Sequence, residues 1–208
     1  MDRSRLEAFS DGVFAVAITL LALNLTVEGP GGKVWLGGQL YAKWPAFAGY
    51  LISFLTIGII WVNHHALVRS IKQVDRVLLF VNQILLIFVV LIPFGTATMA
   101  DYLPQNSSSA RLAMVLYSGI FLGMSAGFGA ILEWTLRTGH VYHPLPPEQH
   151  WPARRRFVGG ALVYVISTVV AAFSAPAAFV LISVVAVYYI FERTPAAPGD
   201  GEEEKPPA

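Results

Sequence analysis

Cysteine is absent from the 208 residues, so disulfide frameworks, thiolate metal centres and cysteine nucleophiles are all excluded. Charge is scarce as well. Only 13% of residues are Asp, Glu, Lys or Arg and the formal net charge is +1, too little for an electrostatic footprint on nucleic acid. No His-Glu-x-x-His spacing occurs to suggest a zinc site. What fills the chain instead is apolar: 55% of it is hydrophobic and its mean hydropathy is +0.59. That composition describes membrane spans with no room for a second, soluble domain.

Crossing a bilayer takes about 20 helical residues, and with that ruler six apolar segments stand out, near 6–27, 44–66, 77–99, 111–134, 157–174 and 176–191. Together they make one transmembrane domain over 1–193. The first segment is too long for a signal-peptide core, and no small-residue cleavage site follows it before Glu28. The last two are short and separated only by Ser174-Ala175-Pro176, which leaves a thin or re-entrant hairpin as the alternative to two full spans. Beyond them, 194–208 is acidic and Pro-rich and is expected to be disordered. Eleven of the basic residues fall on the amino-terminal side of the expected topology and only Lys33, Lys43 and Arg111 on the other. The asymmetry puts both termini in the cytoplasm.

The first span carries the most information. At about 100° per residue, Val16, Thr19, Leu20, Leu23 and Val27 share one stripe, which Gly12 and Val13 extend toward the cytoplasm, whereas Asp11, Phe14, Ile18 and Leu25 lie behind it. Such spacing is that of a helix seam, and Gly12 would admit a neighbouring backbone. Read alone, the stripe is a packing face.

Asp11 needs a separate explanation, because a carboxylate at the membrane entrance is costly unless paired. Antiparallel threading brings Trp61, Asn63, His64 and His65 to its level, with Asn82 about two turns into the third span and Arg5 below it. A buried aspartate held by His, Asn or Arg would latch the back of the first helix to its neighbours. The adjacent histidines point about 100° apart on a helix, so one ion cannot readily use both, and no metal site is expected there. Ser10 beside Asp11 lacks a local Gly-x-Ser-x-Gly context, so no hydrolase is expected there.

Arg5-x-x-x-Phe9-Ser10-Asp11, the Gly-Val-Phe-Ala-Val-Ala-Ile-Thr-Leu-Leu run that follows, and Trp61-x-x-His64-His65 closely resemble the prokaryotic branch of the transmembrane protein 175 family of potassium channels. Asn82 and Pro93-Phe94 resemble it too, and the likeness weakens beyond about 110. The resemblance implies an all-α, multi-pass protein of the bacterial plasma membrane. Six helices per protomer assemble as a homotetramer whose first helices line the pore, with no Thr-Val-Gly-Tyr-Gly filter, no cofactor and potassium as the permeant ion. Val16, Leu20 and Leu23 then form the hydrophobic gate and Thr19 the hydroxyl layer tied to moderate preference for potassium over sodium. Arg5, Phe9, Ser10, Asp11, Trp61, His64, His65 and Asn82 form the latch. The family commonly carries Ile or Leu at the narrowest position. Val16 here is smaller, so the narrowest level can shift to Leu20 or Leu23. A proton- or solute-coupled transporter using Asp11, His64 and His65 as a relay is the competing expectation, although no internal repeat supports it.

Overall fold

The computed structural model describes residues 2–29 and 34–191, and within them every regular element is helical. Seven α-helices follow in order: α1 (Arg3–Ala22), α2 (Leu36–Ala42), α3 (Trp44–Arg69), α4 (Arg76–Tyr102), α5 (Ser108–Thr138), α6 (Pro147–Phe173) and α7 (Ala175–Phe191). A 3-10 turn, Leu103–Gln105, closes α4. The tail expected over 194–208 lies outside the described residues.

Local chemistry sets these boundaries. Asp75 caps α4 by accepting from the Leu78 amide at 2.7 Å, and Ser107 caps α5 through the Ala110 amide at 3.3 Å. Gly139 ends α5 in the left-handed region, with φ 64°. Pro45 and Pro147 stand in the first turns of α3 and α6, where no intrahelical amide is lost. Ser174, extended at φ −146° and ψ 106°, breaks the chain between α6 and α7.

α1 is shorter than the periodicity suggested. It stops at Ala22 rather than Val27, because the amides of Leu23, Asn24 and Leu25 turn to carbonyls three residues back and tighten the last turn. Asn24 then donates to the Pro93 carbonyl at 3.4 Å instead of continuing the helix. Leu23 is therefore the helix cap, and Leu25 and Val27 lie beyond it.

α4 and α5 form the centre, and α1, α3, α6 and α7 pack round them. Close approach requires glycine at one point: a Cβ on Gly127 would sit 2.9 Å from the Leu85 Cα. Between α3, α4 and α5, the hydroxyls of Ser53, Thr96 and Tyr117 close a buried cluster at 2.7 and 2.8 Å, which satisfies three polar groups without water. At one end, Glu133 of α5 receives two bonds from Arg154 of α6, at 2.8 and 2.9 Å, and pairs with Arg137. Outside, Phe80, Ile84, Ile87, Leu91 and Phe94 form an exposed apolar stripe along α4, suited to hydrocarbon rather than to water. Four helices, α3 to α6, are each long and apolar enough to cross a membrane. α1, with its charged first turns, and the 17-residue α7 are not among them.

Candidate functional site

α1 has two faces. Leu6, Ser10, Phe14, Ala17 and Leu21 are buried toward α3 and α4. The opposite side is open along its length: Val16 is 54% exposed, Leu20 37% and Leu23 70%, with Phe9, Gly12 and Thr19 on the same side. The stripe read from helical angle is thus an unpartnered surface of the protomer, apart from Val13, which is half-buried against the core. Thr19 donates its hydroxyl proton to the Val16 carbonyl at 2.8 Å. Its oxygen keeps both lone pairs free to accept.

On the buried face a polar chain crosses three helices. His64 Nε2 on α3 lies 2.8 Å from Asn82 Oδ1 on α4, and the Asn82 amide donates to Ser10 Oγ on α1 at 3.0 Å. Ser10 in turn donates to the Leu6 carbonyl at 2.9 Å. Because Asn82 Oδ1 can only accept, His64 must carry its proton on Nε2. The three side chains are 1% exposed or less, so each bond is made where water cannot replace it. The Phe14 ring packs on His64 with centroids 5.4 Å apart.

Asp11 belongs to a second, more exposed cluster, and here the structure corrects the expected latch. Its Oδ1 accepts from Trp61 Nε1 at 2.8 Å; the buried histidine and asparagine serve Ser10 instead. His65 turns away from His64, stacks near Trp61 with centroids 5.9 Å apart, and places Nδ1 3.0 Å from Glu7 Oε1. That pair is close but misaligned, so His65 Nδ1 has no hydrogen-bond partner. Arg5 does not join. It is exposed, and no hydrogen bond or ion pair of its side chain occurs among the described residues, because the α1 twist carries it to the open face with Phe9. Glu7 was missed from the sequence, although its spacing of four to Asp11, matched by Trp61 and His65, was there to be read.

At the far end of α1, a cavity of about 220 Å³ opens between Leu23, Asn24, Lys43, Thr96 and Asp101. The letters Gly-Met-Ser-Ala-Gly at 123–127 fall in the middle of α5, not in the strand-to-helix turn that a nucleophilic serine needs. They pack helices: an added Cβ at Gly123 would overlap the Phe88 ring.

The open stripe and the buried latch both lie within residues 5–93, and over that same range the chain matches the sequence profile of a family described as endosomal/lysosomal potassium channel TMEM175. A potassium channel of Streptomyces collinus is 41% identical over 198 residues, which are 93% of this chain and 94% of that one. This chain belongs to the TMEM175 family. Its fold agrees with the crystal structure of a lysosomal potassium-selective channel TMEM175 homolog from Chamaesiphon minutus, with a TM-score of 0.80 at 31% identity over 90% of this chain and 96% of the other. The human endosomal/lysosomal proton channel TMEM175 is 30% identical over 155 residues, 71% of this chain but 30% of the human one. As a TMEM175 protein the chain is an all-helical membrane protein of an ion-channel family, not an enzyme.

Proposed function

We propose that this protein is a potassium channel of the bacterial plasma membrane, moderately selective over sodium, in which four copies surround a central axis lined by α1. Each protomer crosses the bilayer six times, through α1 and α3 to α7, with both termini in the cytoplasm. The observation that carries this reading is the open apolar stripe of α1. One side of the helix is fixed by the Ser10–Asn82–His64 chain, and the other, from Phe9 to Leu23, has no partner in its own protomer. A relative matched along nearly its whole length bears the name potassium channel, which favours ion conduction over coupled transport.

The mechanism follows from the side chains on that stripe. Rings of Val16, Leu20 and Leu23 exclude water when narrow, and a small rotation or outward shift rewets the path. Thr19 supplies the one hydroxyl among them. Four such oxygens, each with its proton turned back to the Val16 carbonyl, replace part of the hydration shell of a cation and favour the ion that is easier to dehydrate. No carboxylate lies on the stripe between Gly12 and Leu23, so the pore surface does not trap divalent ions.

Two measurements test it. Purified protein in planar bilayers should pass large, non-saturating potassium currents with a smaller sodium component; silence under a potassium gradient would refute conduction. The natural chain has no cysteine, so Leu20→Cys provides a specific cross-link. Oxidation should join copies through α1, and a purely monomeric product in membranes would remove the central axis.

A further inference from the structure

Glu7 and Asp11 lie one turn apart on α1, and His65 approaches them from α3. One ligand atom from each, a carboxylate oxygen or an imidazole nitrogen, falls within 4.8 Å of the other two. We infer that Glu7, Asp11 and His65 form a binding site for a divalent first-row transition-metal ion that clasps α1 to α3.

Three features support the site beyond the grouping itself. Like charges one turn apart on a helix repel, and no lysine or arginine among the described residues forms an ion pair with Glu7 or Asp11; Glu7 has only the His65 imidazole beside it. His65 Nδ1 is shielded from solvent and makes no hydrogen bond, although it lies only 3.0 Å from Glu7 Oε1. Such a close approach of that nitrogen to a carboxylate oxygen calls for a cation between them, either a proton or a metal ion. Trp61 Nε1 holds Asp11 Oδ1 at 2.8 Å, leaving Oδ2 as the ligand. That is the outer-shell orientation typical of metal carboxylates.

The donor set also limits the ion. One imidazole and two carboxylates suit zinc and its neighbours better than soft copper(I) or all-oxygen calcium. Partial exposure of the three residues leaves room for water in the fourth position. The site is distinct from the His64–His65 pairing that helical angle rules out, since His64 points the other way to Asn82. It also lies apart from the open stripe of Val16, Thr19 and Leu20, and would act by bracing α1 rather than by plugging the path.

The test uses the full-length, tag-free protein in detergent and zinc chloride as the probe. Isothermal titration should give one zinc per protomer, and zinc should raise the unfolding temperature. Glu7→Gln and His65→Ala should each weaken binding by at least tenfold, and Trp61→Phe, which keeps the ring but loses the N–H, by about tenfold. No binding by the natural protein below millimolar zinc would overturn the site, as would equal binding by Glu7→Gln and His65→Ala, which would place the ion on His140, His143 or His150. Should one variant fold poorly, the other still decides. Neither readout depends on conduction, so failure of the metal site and failure of the channel reading are told apart.

Discussion

The Asn82 amide donates to Ser10 Oγ at 3.0 Å across 72 residues of chain, and its own oxygen lies 2.8 Å from His64. One side chain therefore joins α1, α3 and α4 in a region closed to water. Replacing it with alanine strands two partners at once, a hydroxyl that loses its donor and an imidazole N–H that loses its acceptor. Each buried orphan costs about 1–3 kcal/mol. Asn82→Ala should consequently lower the unfolding temperature in detergent and reduce recovery of the assembled protein, whereas Trp61→Phe, at a half-exposed bond, should cost under about 1 kcal/mol. Equal losses in the two variants would contradict this division of labour.

Much of this site was legible before any coordinates. The stripe on α1 follows from helical angle, but that it stays open does not, because the buried Leu6, Phe14 and Leu21 and the exposed Phe9, Leu20 and Leu23 are residues of the same kind. The level at which Ser10, His64 and Asn82 meet follows from span length. Partner choice did not follow. Asp11 seemed the residue to be buried, since a carboxylate at the membrane entrance calls for partners, yet Ser10 is buried and Asp11 stays at the edge with Trp61. Which of two adjacent residues points inward depends on helix rotation by 100°, finer than a span ruler resolves. The end of α1 at Ala22 was hidden for a similar reason: Leu23 to Val27 is as apolar as the helix before it, and the break depends on Asn24 finding the Pro93 carbonyl. The Ser53–Thr96–Tyr117 cluster left no sequence signal, because lone hydroxyls in apolar helices usually bond their own backbone.

Two glycines on α5, two positions apart, should respond in opposite directions. A Cβ at Gly127 would stand 2.9 Å from the Leu85 Cα and 3.1 Å from its nitrogen, whereas one at Gly129 meets nothing within 4 Å. Gly127→Ala forces α4 and α5 apart and should destabilise by about 1–3 kcal/mol, the usual cost of overpacking. Gly129→Ala should be neutral or stabilising by up to about 1 kcal/mol, through helix propensity. Melting curves of the two variants against the natural protein check both signs. A Gly127→Ala protein as stable as the original would place the α4–α5 contact elsewhere.

Thr19 has the one hydroxyl on the open stripe of α1, and its proton is committed to the Val16 carbonyl at 2.8 Å. Thr19→Val preserves shape and removes the oxygen. Reversal potentials under mixed potassium and sodium should shift toward equal permeability while current persists. Thr19→Ser keeps the oxygen and should keep most of the preference. A valine variant with unaltered selectivity would move the discriminating layer away from Thr19.

The apolar positions offer a graded test of where the path is sealed. Val16 and Leu20 sit within α1, and Leu23 caps it; all three are open on the protomer surface. A hydrophobic constriction closes by expelling water, so a polar side chain of similar size at the narrowest ring should hold water there and raise conductance. Asparagine has the heavy-atom count and Cγ branching of leucine and serves that purpose. Leu20→Asn should increase open-state current several-fold over the natural protein, because its helical position fixes it toward the axis. Leu23→Asn should have the smaller effect, since the cap residue precedes an extended segment and is held less firmly. Val16→Asn adds reach and polarity, while Val16→Ala only widens the ring. An increase in both would identify Val16 as the seal, and an increase in Leu20→Asn alone would place the seal one turn beyond it. Single-channel recordings of the four variants decide between these levels, and unchanged conductance in every one would show that the α1 stripe does not close the path.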